Sequence, residues 1–228
     1  MPQMGEKPDG ENMPQDTTTD ESGTSTKGIK AGGGMYLNGG TYQIDSADDS
    51  IHSNANITIA DGTYTLATGD DGVHADDALI VNGGTITVTE SYEGLEGLAV
   101  TINDGTIDIT ASDDGINTAG EKMELNGGYI HILAGGDGVD SNGDLTINGG
   151  EIYIDGPSDN GNSAIDYGDR SSAYVNGGTL VAIGSSGMAE VMSDSSKQKV
   201  LMVKLGEQME AGNVVLTDSE GNVIVSYT

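Results

Sequence analysis

Asn82-Gly83-Gly84-Thr85-Ile86-Thr87-Val88 returns as Asn103-Asp104-Gly105-Thr106-Ile107-Asp108-Ile109 and again as Asn126-Gly127-Gly128-Tyr129-Ile130-His131-Ile132. Working outward in the same register adds Asn38-Gly39-Gly40-Thr41, Ala60-Asp61-Gly62-Thr63, Asn148-Gly149-Gly150-Glu151 and Asn176-Gly177-Gly178-Thr179, at successive offsets of 22, 22, 21, 23, 22 and 28 residues. Seven copies at so narrow a spacing mark a repeat architecture, with one insertion before the last copy.

Each turn opens an alternating segment whose apolar members fall in column: Tyr42 and Ile44, Tyr64 and Leu66, Ile86 and Val88, Ile107 and Ile109, Ile130 and Ile132, Ile152 and Ile154. Period two means a strand with one buried face. A second column holds one aliphatic residue per repeat: Ile29, Ile51, Val73, Leu95, Ile116, Val139 and Ile165. A third precedes each next turn, as in Ile57 and Ile59, Leu79 and Val81, Met123 and Leu125.

Three short strands cannot bury their apolar faces alone, but coil stacked on coil makes a continuous core. The expected fold is all-β: a right-handed single-stranded parallel β-helix, three strands per rung of about 22 residues, about six to seven rungs. Glycine and asparagine suit the sharp corners because they tolerate positive φ, and stacked asparagines there are expected to form a side-chain ladder.

The expected organisation is a disordered tail or linker over 1–24, which holds three of the four prolines, the β-helix over 25–184, and a C-terminal linker and β cap over 185–228. In the last segment 200–205, 213–217 and 223–227 read as strands, the last two as a hairpin covering the open end, and strand-like sequence running to Thr228 suggests a cap that continues further.

The chain carries 37 acidic residues against 8 basic ones, a net charge of −29, and no cysteine. That balance excludes nucleic acid as a partner, and no apolar run is long enough to span a membrane. So much like charge destabilises a compact state unless cations neutralise it.

The acids are not scattered. Asp48-Asp49-Ser50-Ile51-His52, Asp70-Asp71-Gly72-Val73-His74, Tyr92-Glu93-Gly94-Leu95-Glu96, Asp113-Asp114-Gly115-Ile116-Asn117 and Gly136-Asp137-Gly138-Val139-Asp140 recur in register, with an irregular copy at Asn162-Ser163-Ala164-Ile165-Asp166. Stacking puts Asp49, Asp71, Glu93, Asp114 and Asp137 in one file and His52, His74, Glu96, Asn117, Asp140 and Asp166 in another. Two unit charges one strand spacing apart, about 4.8 Å, repel by about 3.5 kcal/mol at an effective dielectric of 20. Such a file needs cations or raised pKa values.

The donors are hard oxygens, the preference of calcium (Ca2+), and magnesium's stricter octahedral geometry is harder to meet on a fixed ladder. The candidate metal ligands are Asp70, Asp71, Glu93, Glu96, Asp113, Asp114, Asn117, Asp137, Asp140 and Asp166. On the first rung Lys27 and Lys30 stand in the same two positions, so Lys27 is expected to pair with Asp49. Tyr92, Tyr153 and Tyr167, with His52 and His74 facing outward, are the candidate carbohydrate contacts.

With Lys27-Gly28-Ile29-Lys30-Ala31, Ser46-Ala47-Asp48-Asp49, Gly69-Asp70-Asp71-Gly72-Val73-His74-Ala75-Asp76, Ser91-Tyr92-Glu93-Gly94-Leu95-Glu96-Gly97, Asn160-Gly161-Asn162-Ser163-Ala164-Ile165-Asp166-Tyr167 and Gly184-Ser185-Ser186-Gly187-Met188-Ala189 in place, the chain resembles a known family over roughly 27–190. That family is the bacterial carbohydrate-binding domain-containing proteins, calcium-binding parallel β-helices that bind cellulose and acidic sugars. The resemblance implies a pectate-lyase-like fold, calcium between rungs, an extracellular or cell-surface location, and plant cell-wall polysaccharide (polygalacturonate or other acidic sugars, and cellulose) as partner.

The expected function is therefore calcium-dependent carbohydrate binding by a monomer, without catalysis. A calcium-dependent pectate-lyase-like enzyme is one alternative, but it needs a basic residue beside the metal. Of the later repeats' cations, Lys122 and Arg170 both lie outside the acidic element. A structural surface adhesin, with the solenoid as a plain rod, is the other alternative.

Overall fold

A computed structural model describes residues 25–120, 122–209 and 212–228; the expected tail over 1–24 lies outside the described residues. Among the described residues, seventeen strands form one continuous sheet wound into a parallel β-solenoid, and two more form a separate antiparallel hairpin. Every pairing within the large sheet is between a strand and its counterpart about one repeat away, as in Thr85–Glu90 with Thr106–Ala111 and Leu95–Ile102 with Ile116–Thr118.

In the later turns the three columns are separate strands, for example Ile116–Thr118, Met123–Leu125 and Tyr129–Ala134. Earlier they merge: the third and first columns run together as Met35–Ser46 and Ile57–Thr68, the second and third as Val73–Val81 and Leu95–Ile102. The expected three-strand rung holds, each of the earlier rungs carrying one corner inside a continuous strand and every corner breaking the strand from Ile116 onward.

All three columns point their aliphatic members inward. Ile51, Val73, Leu95, Ile116, Ile107, Ile109, Ile130 and Ile132 are fully buried in one core, each contributing roughly 1.5–3 kcal/mol by leaving water. Tyr64 is equally buried, stacked on Tyr42 at 5.0 Å and donating its hydroxyl to the Asp61 carbonyl at 2.9 Å.

The corners are pinned by the expected asparagine ladder. The Nδ2 groups of Asn103, Asn126, Asn148 and Asn176 donate to Oδ1 of Asn82, Asn103, Asn126 and Asn148 at 2.8, 2.9, 2.8 and 3.0 Å. The glycine that follows takes positive φ, +90° at Gly84 and +84° at Gly128, a conformation open to glycine at little steric expense.

The C-terminal segment departs from expectation in two ways. Residues 200–205 form no strand, and Leu201, Val203 and Leu205 are exposed; alternation alone does not make a strand where the backbone finds no ladder to join. The hairpin Val214–Thr217 and Val223–Tyr227 does form, but it does not cover the open end. It lies on the flank, where the Tyr227 hydroxyl donates to Asp155 at 2.6 Å and its ring stacks on Tyr153 at 4.9 Å. The last rung is met instead by irregular chain, through Ser193 N to the Ala173 carbonyl and Gln198 N to the Val175 carbonyl, with Met192 against the core. No helix among the described residues is long and apolar enough to cross a membrane.

Candidate functional site: the carboxylate ladder

The second column carries the ladder. Its register pairs Lys30, His52, His74, Glu96, Asn117, Asp140 and Asp166 in unbroken succession, so the second expected file is a physical row along one edge of the solenoid.

Glycine sets how close the first file can stand. A Cβ on Gly72 would meet the Gly94 carbonyl at 2.5 Å, one on Gly115 the Gly138 carbonyl at 2.5 Å, and one on Gly138 the Ala164 carbonyl at 2.6 Å. With that space kept clear, three of the five acids reach the next rung's backbone: Asp71 N, Asp137 N and Ser163 N donate to the carboxylates of Asp49, Asp114 and Asp137 at 3.2, 2.6 and 2.5 Å.

The first rungs carry their own cations. Lys27 is almost fully buried, with Nζ 2.7 Å from Asp49 and 2.9 Å from Asp48, the terminal pairing expected from the register. Burial works to raise Asp49, but the His52 hydrogen bond and the Lys27 ammonium outweigh it and hold the carboxyl at about 2. On the next rung His74 Nδ1 lies 2.9 Å from Asp71 and 2.7 Å from Glu96. Burial disfavours its charge, yet these two carboxylates push it up to about 11. Burial and the Glu96 charge raise Asp71, while the His74 hydrogen bond overcomes burial at Glu96 and lowers it.

Further along, the donors are oxygens alone. Burial, then the Glu96 and Asp71 charges, push Glu93 up to about 9. Burial, then Asp140 and Asp113, push Asp114 up to about 8 against the hydrogen bond from Asp137 N. Asp114, Asp137 and Asp140 bring one carboxylate oxygen each within 4.8 Å of one another. Beside them Asn117 is buried; its Nδ2 donates to Glu93 at 3.1 Å, and its Oδ1 is buried with no hydrogen-bond partner. A buried acceptor left alone forfeits its solvation, and a hard cation is what would satisfy it. The residues present thus fit calcium.

The other expected ligands sit apart from this group. Asp70 is exposed and joins Asp48 and Asp49 near Lys27; Asp113 accepts the Tyr92 hydroxyl; Asp166 continues the file but accepts its neighbour's amide, Tyr167 N, at 2.9 Å. Lys122 pairs with Glu124 at 2.9 Å, and Arg170 lies exposed in the inserted loop.

Among the expected carbohydrate contacts, Tyr92 is the most open, 49% exposed. Tyr153 is half-buried beneath Tyr227, and Tyr167 donates its hydroxyl to the Val191 carbonyl at 2.7 Å, an anchor for the C-terminal chain. His74 is half-buried. His52 does not face outward as expected: it is 0% exposed, covered by the His74 ring at 5.0 Å and the Asp49 carboxylate at 2.7 Å, so no sugar reaches it.

Sequence reasoning passed over Tyr129, which is 41% exposed and lines a shallow bay of about 550 Å³ with Asp104, Thr106 and Glu151. It stands in the turn column where four earlier repeats have threonine, and that break was its only signal. Asp76, 42% exposed beside the two ladder histidines, was also missed.

A family model described as carbohydrate-binding domain-containing protein matches residues 6–72 and 70–220. No curated protein and no solved structure matches the chain at a significant level.

Proposed function

Because this chain belongs to the carbohydrate-binding domain-containing proteins, we propose that it binds acidic plant cell-wall polysaccharide through calcium held on the central carboxylate ladder. The observation that carries the calcium reading is the orphaned Asn117 Oδ1, buried among oxygen donors whose acidity is suppressed first by burial and then by one another's charge. Glu93, Asp114, Asn117, Asp137 and Asp140 would hold the ion. Six to eight oxygen ligands suit calcium, and carboxylates of a polyuronate are fit to complete its shell.

Bound calcium supplies the positive charge that lets a chain of net charge −29 approach an anionic polymer. The protein's own residues fix where that charge sits, because the parallel register leaves the file no freedom to spread. The exposed faces of Tyr92 and Tyr129 offer apolar platforms for sugar rings. In this reading the chain is a secreted or surface-held binding module and carries no catalytic residue.

Calorimetric titration with polygalacturonate, in calcium and in excess chelator, tests the proposal. Affinity is expected to fall at least about tenfold, roughly 1.4 kcal/mol, on chelation and equally on Asp114→Asn with Asp137→Asn. Absorbance from an unsaturated uronate product is expected to stay flat. Equal affinity with and without calcium would sink the bridging role, and a rising absorbance would point to a lyase.

A further inference from the structure

The outward side chains of the first column make a face separate from the ladder. Its register sets Asp108, His131 and Tyr153 in one row along the solenoid, with Leu133 and Asp155 paired beside them. Asp108 Oδ1 lies 2.8 Å from His131 Nδ1, and Asp155 Oδ2 lies 3.5 Å from His131 Nε2. Tyr129 and Tyr153 stand on neighbouring rungs with ring centroids 5.8 Å apart. Tyr129 is open and lines the shallow bay, whereas Tyr153 lies under the C-terminal hairpin.

What covers Tyr153 is itself shaped like a ligand. The Tyr227 ring lies 4.9 Å from it and within 17° of parallel. The hydroxyl at its tip donates to Asp155 at 2.6 Å and lies 3.1 Å from His131 Nε2. A flat apolar face on an aromatic floor, with a hydroxyl held between a carboxylate and an imidazole, is the contact set that a pyranose makes through its C–H face and one hydroxyl. The cover is lightly built. A two-stranded hairpin is marginally stable alone, both of its strands are largely exposed, and its tie to the solenoid runs through Tyr227.

We propose that Tyr153, His131 and Asp155 form a second sugar site, for an uncharged pyranose, and that Tyr227 occupies it as a built-in competitor which the sugar displaces. This rests on the reading of the chain as a polysaccharide binder and not on its calcium. The ligand is uncharged because the face is acidic: Asp108 and Asp155 flank the imidazole, and Glu151 shares the outward phase of the Tyr153 strand, so a uronate carboxylate is repelled. The neighbouring Tyr129 ring extends the floor to a second sugar unit, so the ligand is an oligosaccharide running from the open platform to the covered one. Tyr227 and the sugar stack on the same side of Tyr153 and exclude each other. Apparent affinity is therefore lowered by the small fraction of molecules whose hairpin is undocked.

Calorimetric titration of the full chain with cellohexaose, xylohexaose and mannohexaose in excess chelator tests this, because uncharged probes without calcium leave the ladder out of the measurement. For the hexasaccharide that binds, Tyr227→Ala is expected to raise affinity at least about tenfold over wild type, and Tyr153→Ala added to it to remove binding. Tyr227→Phe, which keeps the ring and loses the hydroxyl, is expected to fall between wild type and Tyr227→Ala. In wild type, the saturating sugar is expected to speed amide exchange over Val214–Thr217 and Val223–Tyr227, while Ile107 and Ile130 keep their protection and report an intact core. Equal affinity in wild type and both Tyr227 variants, binding that survives Tyr153→Ala, or no binding of any of the three sugars by Tyr227→Ala would each overturn the site. Polygalacturonate binding in calcium is scored separately, so either reading can fail alone.

Discussion

At the scale of single residues, glycine serves two different purposes in this chain. At the corners, Gly84 and Gly128 are needed for their positive φ. In the ladder, Gly72, Gly94, Gly115 and Gly138 do not have positive φ and are needed for space. Gly115→Ala would drive a methyl into Ile132 and the Gly138 carbonyl. It is expected to destabilise the fold by about 1–3 kcal/mol in denaturant melts, while Gly33→Ala, with nothing within 4 Å, is expected to be near neutral. The sequence shows both sets as glycines within one or two residues of an acid or an asparagine, and only the stacked neighbours separate the two reasons. The acids themselves allow a sharper test. Glu93 and Asp114, raised to about 9 and about 8, are mostly neutral at pH 7 without metal. Glu93→Gln with Asp114→Asn is therefore expected to change the melting temperature little in chelator and to lower it in calcium, where ionised ligands are needed. Equal shifts in both conditions would refute the metal assignment.

At the scale of elements, most of the solenoid is legible because the repeat period equals one strand spacing. Once Asn82, Asn103 and Asn126 are aligned, His74 must pair with Glu96 and Glu96 with Asn117, and they do. Burial is not legible in the same way. His52 shares an outward phase with residues that are partly open, yet its neighbours close over it, since outward from a narrow edge is still inward among stacked side chains. The hairpin is likewise readable as a hairpin, but its docking on the flank rests on Tyr227, which is distant in sequence from everything it touches. Tyr227→Phe removes the hydrogen bonds at 2.6 Å to Asp155 and 3.1 Å to His131. It is expected to loosen the hairpin by about 1–2 kcal/mol, seen as faster amide exchange over Val214–Thr217 and Val223–Tyr227 with the exchange of Ile107 and Ile130 unchanged. Slower exchange in the hairpin, or loss of protection throughout the core, would show that the contact does not do this.

At the scale of the whole molecule the charge of −29 sets the response to pH. Diffuse salt is a poor remedy for the ladder: the Debye length at physiological ionic strength is about 8 Å, longer than the rung spacing of about 4.8 Å. Neighbouring carboxylates therefore feel each other almost unscreened, and protons or site-bound ions must relieve them. Asp71, Glu93 and Asp114 have pKa values raised above the ordinary carboxylate value near 4. The folded state thus binds protons that the unfolded chain has lost. Their contribution is fully present below about pH 4 and disappears as pH rises through about 8 to 9. His74, raised to about 11, has the same sign above its ordinary value near 6.5. Asp49 at about 2 has the opposite sign, its stabilisation being lost only as pH falls from about 4 toward 2. In chelator, the melting temperature is accordingly expected to fall steadily from about pH 5 to about pH 9. Saturating calcium is expected to flatten that slope, because the acids are then ionised in the folded state as well, so the calcium-induced shift grows with pH. Thermal melts across this range, with and without calcium, decide it: a flat profile in chelator would remove the raised acidities from the argument, and a calcium effect no larger at pH 9 than at pH 5 would separate the ion from these carboxylates.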